Sequence, residues 1–151
     1  MIYLIISILL DGIISRIVPM NSTLLPMFTL ITLLLIYPKY KNKYHMFIIV
    51  AGILYDFLYS DIPFLNLTIF SMLSFVILYL YNDIPNNYIS LAYKIIYIII
   101  VYRLISYIIS IILGNNFNIE VLYNTIINSI ILNILYGYLL NDLLNRNYRK
   151  V

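Results

Sequence analysis

Apolar residues fall into six runs along this chain, separated by short polar breaks. The runs cover about residues 2–18, 22–37, 45–60, 64–81, 89–113 and 120–141. The breaks are rich in proline, glycine, asparagine and charged residues, which are typical of turns. Since about 20 helical residues span a bilayer, with a range of about 17–25, the pattern predicts six membrane helices. Segment two is the weakest of them, because Pro19 and Pro26 flank or interrupt its start.

Composition supports this interpretation and excludes a water-soluble globule. The chain is 64% hydrophobic and 10% charged, whereas soluble domains are about 25% charged. All breaks between segments are short, so the sequence predicts an all-α integral membrane protein with one transmembrane domain over residues 1–151. We expect the chain to be embedded in a lipid bilayer. The absence of cysteine excludes disulfides and thiolate metal sites.

The basic residues predict the orientation of the helices and give no indication of nucleic-acid binding. They concentrate in the second break and at the C-terminus, at Lys39, Lys41, Lys43, Arg146, Arg149 and Lys150. Cytoplasmic loops of membrane proteins carry an excess of Lys and Arg. Six segments then place both termini in the cytoplasm.

Several apolar segments carry a polar or small face. Ser7, Asp11 and Ser15 recur every fourth residue in segment one, and Gly52 and Asp56 do so in segment three. Such faces pack against other helices in preference to lipid. We therefore expect a partner-binding or structural polar core that contains Asp11, Gly52, Asp56, Asn66, Arg103 and Ser106.

Arg103, in the middle of segment five, could neutralise a buried acid. An isolated charge near the bilayer centre costs at least about 2.5–3.5 kcal/mol, and pairing offsets part of this cost. One hypothesis makes Arg103 the counter-charge of Asp56, Asp11 or both. The alternative is that Arg103 marks a water-filled or partner-facing surface and touches neither acid.

The sequence gives no indication of catalysis. Asp11 and Asp56 could form an aspartyl protease dyad, but neither lies in a Gly-x-Gly-Asp motif. His45 has no second histidine or cysteine to share a metal with, and the chain has no glycine-rich phosphate loop. We therefore predict a protein that is not an enzyme and that has no catalytic residues, metal or cofactor.

One stretch resembles a known family. The run from Gly52 through Asp56 to Ser60, followed by Leu65-Asn66-Leu67, resembles the signature region of MreD, the rod shape-determining membrane proteins of bacteria. Pro26-Met27 and the Asn133–Tyr136 region are similar to further features of that family. The chain departs from the family at Phe64, where members commonly have glycine.

The resemblance implies a non-enzymatic scaffold subunit of the peptidoglycan elongation machinery, which determines cell shape in the bacterial cytoplasmic membrane. The implied partners are a bitopic coiled-coil protein similar to MreC, the actin-like MreB and the glycosyltransferase and transpeptidase pair. The implied fold resembles the six-helix substrate-binding subunit of energy-coupling-factor transporters. A groove on segments one, three and five, open to the outer leaflet, would receive a partner helix. The alternative is a substrate-binding membrane subunit of a transporter for vitamin-sized molecules.

Overall fold

The computed structural model describes residues 1–17, 25–37, 39–60, 62–85, 87–114 and 118–148, with side chains described up to residue 146. Within these ranges the only regular secondary structure is helical. The helices are α1 (Ile2–Ile17), α2 (Phe28–Ile36), α3 (Tyr44–Tyr59), α4 (Leu65–Asp83), α5 (Tyr88–Ile112) and α6 (Ile119–Tyr148), and a short 3₁₀ turn (Lys41–Lys43) precedes α3. The prediction of an all-α fold with six helices is confirmed.

The predicted boundaries agree closely with the observed ones except in segments two and six. Helix α2 begins at Phe28, and residues 25–27 are not helical; the first three residues predicted for segment two, 22–24, lie outside the described ranges. Pro26 explains the late start, because proline lacks an N–H and disfavours helical geometry in the residue before it. Helix α6 continues to Tyr148, seven residues beyond the predicted end at 141.

Three of the described helices are long and apolar enough to cross a membrane. They are α4, α5 and the 119–146 part of α6. Helices α1 and α3 have 16 residues each, which corresponds to about 24 Å at 1.5 Å per residue. Helix α2, with nine residues, is much shorter than a bilayer is thick.

The short helix α2 lies inside the bundle. It packs against α1, α3 and α6, while α3 pairs with α4 and α5 pairs with α6. Eight of its nine residues are buried, and only Leu35 is partly exposed. A helix that is apolar on all sides requires a surrounding of other helices. The segment with the weakest sequence signal therefore forms the centre of the fold.

Helix α3 is also tied to α1 by a tyrosine that crosses the interface between them. The Tyr59 hydroxyl donates a hydrogen bond of 2.8 Å to the carbonyl oxygen of Ile8. Its ring lies where a Cβ atom on Gly12 would be. Glycine at position 12 therefore lets the tyrosine reach the backbone of α1.

Candidate functional site

Asp56 caps the N-terminus of the helix that follows it. Its Oδ1 atom accepts hydrogen bonds from the backbone N–H (2.7 Å) and the side-chain amide (3.0 Å) of Asn66, and its Oδ2 atom accepts one from the N–H of Leu67 (3.0 Å). The first N–H groups of a helix have no partner within the helix. The acid in α3 thus satisfies the first turn of α4.

Gly52 makes this cap possible by letting the two helices approach. A Cβ atom at position 52 would lie 2.5 Å from the Cα atom of Leu67. Gly52 precedes Asp56 by one helical turn and faces the same neighbour. The glycine sets the spacing of α3 and α4, and the acid then binds the helix end that this spacing brings within reach.

Asp11 caps the N-terminus of α2, as Asp56 caps the N-terminus of α4. Its Oδ1 atom accepts a hydrogen bond from the N–H of Phe28 (2.7 Å), and its Oδ2 atom accepts from the N–H (2.9 Å) and the hydroxyl (2.7 Å) of Thr29. Thr29 and Asn66 therefore have the same role: each gives its acid one backbone and one side-chain hydrogen bond.

The capping of helix N-termini explains how both buried carboxylates are stabilised. The N-terminus of a helix carries a partial positive charge, and charge-assisted hydrogen bonds to a carboxylate are stronger than neutral ones. Met27 and Phe64, which directly precede α2 and α4, supply no side-chain cap. In the sequence, the apolar runs that begin at 28 and 65 have no Ser, Thr, Asp or Asn directly before them to serve as an N-cap. This absence of a local cap residue is the feature of the sequence that indicates a cap from another helix.

Asn133, in the middle of α6, is part of the same network, although it was outside the predicted set of site residues. Its Oδ1 atom accepts a hydrogen bond from the N–H of Met27 (2.8 Å), and its Nδ2 atom donates to the carbonyl oxygen of Leu25 (2.9 Å). Asn133 is fully buried. Non-helical backbone inside a membrane bundle requires such protein partners, so Asn133 supports the chain where it enters α2.

Arg103 binds α6 and is not the ion-pair partner of Asp56. Its Nε and Nη2 atoms donate to the Oγ atom of Ser129, at 3.2 and 2.9 Å. The oxygens of Asp56 instead accept hydrogen bonds from the first turn of α4. The hypothesis that Arg103 pairs with Asp56 is therefore wrong for this structure.

Arg103 does share a small cavity with the other acid. The cavity has a volume of about 60 Å³ and is lined by Asp11, Pro26, Met27, Thr29, Leu30, Tyr55, Phe70, Tyr102 and Arg103. A site of this size with polar walls has room for water. Arg103 and Asp11 also interact electrostatically, so the part of the hypothesis that makes Arg103 the counter-charge of Asp11 stays a prediction, as does the alternative of a residue at a space for water.

The polar faces predicted for segments one, three and five turn inward. Asp11 and Arg103 line the small cavity, while Gly52, Asp56 and Asn66 lie between α3 and α4. Ser106, one turn after Tyr102 on α5, has a buried hydroxyl oxygen. These polar groups therefore lie between the described helices, and the groove for a partner helix stays a prediction.

The arrangement is suited to holding helices together. Within the described ranges, no three His, Asp or Glu side chains gather as they would around a metal ion. Each oxygen of the two caps already accepts at least one hydrogen bond. No protein-family model, curated protein or solved structure matches this chain.

Proposed function

We propose that this chain is a non-enzymatic scaffold subunit of the peptidoglycan elongation machinery, similar to MreD, in the bacterial cytoplasmic membrane. Both termini would be cytoplasmic, and a partner with a single membrane helix would bind at the surface of the bundle. MreC-like, MreB-like and glycan-synthesising proteins would form the complex around it.

The observation that carries the proposal is that both oxygens of each buried acid accept hydrogen bonds from the N-terminus of a helix. A catalytic carboxylate or a proton carrier uses its oxygens to bind a substrate or to exchange a proton. Asp11 and Asp56 instead accept three hydrogen bonds each from the protein itself. This use of costly intramembrane acids favours a structural protein over an enzyme.

The features that carry the resemblance also have structural roles. Asp56 and Asn66 bind one another, and Asn133 accepts a hydrogen bond from Met27. Phe64, where family members commonly have glycine, has a left-handed backbone with φ 63°, which glycine adopts without strain. These points support the family assignment and, through it, the fold similarity to energy-coupling-factor substrate-binding subunits.

The partner helix would bind to the exposed apolar surface beside the signature region. Phe57 is 86% exposed and Phe64 is 66% exposed, and Ile53 lies one turn before Phe57. Large aromatic side chains contribute much of the contact area in protein interfaces. We therefore place the docking surface on Ile53, Phe57 and Phe64, outside the polar core.

A photo-crosslinking amino acid tests this surface in the bacterium that carries the chain. We expect position 57 or 64 to crosslink to a bitopic coiled-coil protein, and position 131 on α6, which is about as exposed as position 64, to crosslink to lipid alone. Depletion of the chain should round or swell the cells. Unchanged rods together with no crosslink from position 57 or 64 would overturn the proposal.

The alternative, a substrate-binding transporter subunit, has one observation in its favour. A cavity of about 500 Å³ opens at the end of the bundle that carries Lys39, and ligand pockets commonly have volumes of about 300–1,000 Å³. A rise in the unfolding temperature of the purified protein with a vitamin-sized ligand would support this alternative. Co-purification of a coiled-coil protein would support the scaffold.

A further inference from the structure

Four parts of the chain surround the large cavity at one end of the bundle. The start of α1, the end of α2 with its following loop, the start of α5 and the last third of α6 meet there. The cavity of about 500 Å³ is lined by Met1, Tyr3, Leu35, Ile36, Lys39, Tyr40, Asn87, Tyr88, Leu91, Asn141, Leu144 and Asn145. It lies apart from the aspartate caps and their polar network.

The lining of this cavity is amphipathic. Four aliphatic side chains, Leu35, Ile36, Leu91 and Leu144, provide apolar surface, and all except Leu35 are buried. The polar side chains include one ammonium group, that of Lys39, and three carboxamides, those of Asn87, Asn141 and Asn145. Ammonium and amide N–H groups are hydrogen-bond donors that suit phosphate oxygens.

The charges around the cavity also favour an anion. Lys39 is the only one of the described lining residues with a full side-chain charge. The nearest acid along α6 is Asp142, which accepts a hydrogen bond of 2.9 Å from the hydroxyl of Tyr88 and does not line the cavity. The described lining residues thus offer a positive charge and no carboxylate side chain.

We propose that this cavity binds the phosphate headgroup and the adjoining acyl chain of an anionic phospholipid. The phosphate would lie against Lys39 and the carboxamides, and the chain would lie on the four aliphatic residues. Basic pockets between membrane helices on the cytoplasmic side are known to bind such headgroups. The inference needs a membrane-embedded chain but does not depend on any protein partner.

Native mass spectrometry of the full chain in detergent measures this binding directly. The probes are phosphatidylglycerol, phosphatidylcholine of equal chain length and inorganic phosphate. We expect phosphatidylglycerol to bind at least about fivefold more tightly than phosphatidylcholine, and Lys39→Gln to weaken its binding about fivefold, the contribution of one basic residue near the surface. Lys41→Gln, a matched exposed lysine in the same loop that does not line the cavity, should change binding less than twofold.

A second pair of variants tests the cavity itself. Asn145→Trp adds bulk at an exposed lining position and should abolish tight phosphatidylglycerol binding, while Leu143→Trp on the exposed outer face of α6 should leave it unchanged. Circular dichroism establishes that both variants are folded. Equal binding of the two lipids, or displacement of phosphatidylglycerol by millimolar phosphate, would overturn the proposal. Lipid binding without any effect on cell shape would leave this site standing and count against the scaffold alone.

Discussion

Gly52 and Leu67 bring the backbones of α3 and α4 into direct contact. A Cβ atom at position 52 would lie 2.5 Å from the Leu67 Cα atom, 3.0 Å from its Cδ1 atom and 3.1 Å from its Cβ atom. Since a Cα atom is part of the main chain, no side-chain rotation can relieve this contact. The spacing between the two helices therefore depends on the absence of a side chain at one position.

Gly52→Ala should destabilise the protein by about 1–3 kcal/mol, the usual cost of forcing extra atoms into a packed interface. Gly137→Ala is the matched control, because a Cβ there would meet the Cδ1 atom of Ile95, the far end of a flexible side chain. Thermal unfolding followed by circular dichroism suits a chain without tryptophan. Equal losses in the two variants would contradict the backbone contact.

Asp56→Ala and Asn66→Ala should not have additive effects on the free energy of unfolding. Each removes one side of the same 3.0 Å hydrogen bond, and residues in contact show coupling of about 0.5–3 kcal/mol. Asp56→Ala and Arg103→Ala should be additive, because Arg103 binds Ser129 and shares no hydrogen-bond partner with Asp56. Strong coupling between Asp56 and Arg103 would restore the ion-pair hypothesis.

Asn133→Asp should be strongly destabilising although it changes only one group. The carboxylate could still accept the N–H of Met27, but it could not donate to the carbonyl oxygen of Leu25. An unsatisfied buried acceptor costs about 1–3 kcal/mol, and a second buried acid adds its own desolvation. Asn124→Asp, at an exposed position of the same helix, should have little effect on the unfolding temperature.

Hydrophobic pattern alone was enough to predict the six helices, because each apolar run is long and its breaks contain turn-forming residues. It could not predict that α2 is central. A nine-residue helix gives a weak periodic signal, and its position depends on partners far away in the chain. Asn133 lies 106 residues from Met27, and no local pattern reports such a contact.

The acids illustrate the same limit. A carboxylate inside an apolar helix indicated that it needed a partner, and Asp11 and Asp56 are both buried in the structure. An opposite charge was the obvious partner to expect from a sequence. The observed partners are backbone N–H groups of the next helix, which have no sequence identity of their own and become available only where a helix begins.

Phe64→Gly should stabilise the protein, although it removes a large side chain. Phe64 has φ 63°, a left-handed conformation that costs a residue with a Cβ atom about 1–2 kcal/mol, and its side chain is 66% exposed. The greater freedom of glycine in the unfolded chain offsets about 0.4–1 kcal/mol of this gain.

Phe64→Ala separates the contribution of the ring from that of the backbone, because alanine removes the ring and keeps the Cβ atom. The Phe64→Gly variant should unfold at a higher temperature than the Phe64→Ala variant, by an amount equivalent to about 1 kcal/mol in the free energy of unfolding. If the unfolding temperature of the Phe64→Ala variant equals or exceeds that of the Phe64→Gly variant, the turn before α4 is not strained. If both variants fold but lose the crosslink from position 57, then Phe64 contributes its ring to the partner surface, which would explain why a strained residue is retained where glycine fits.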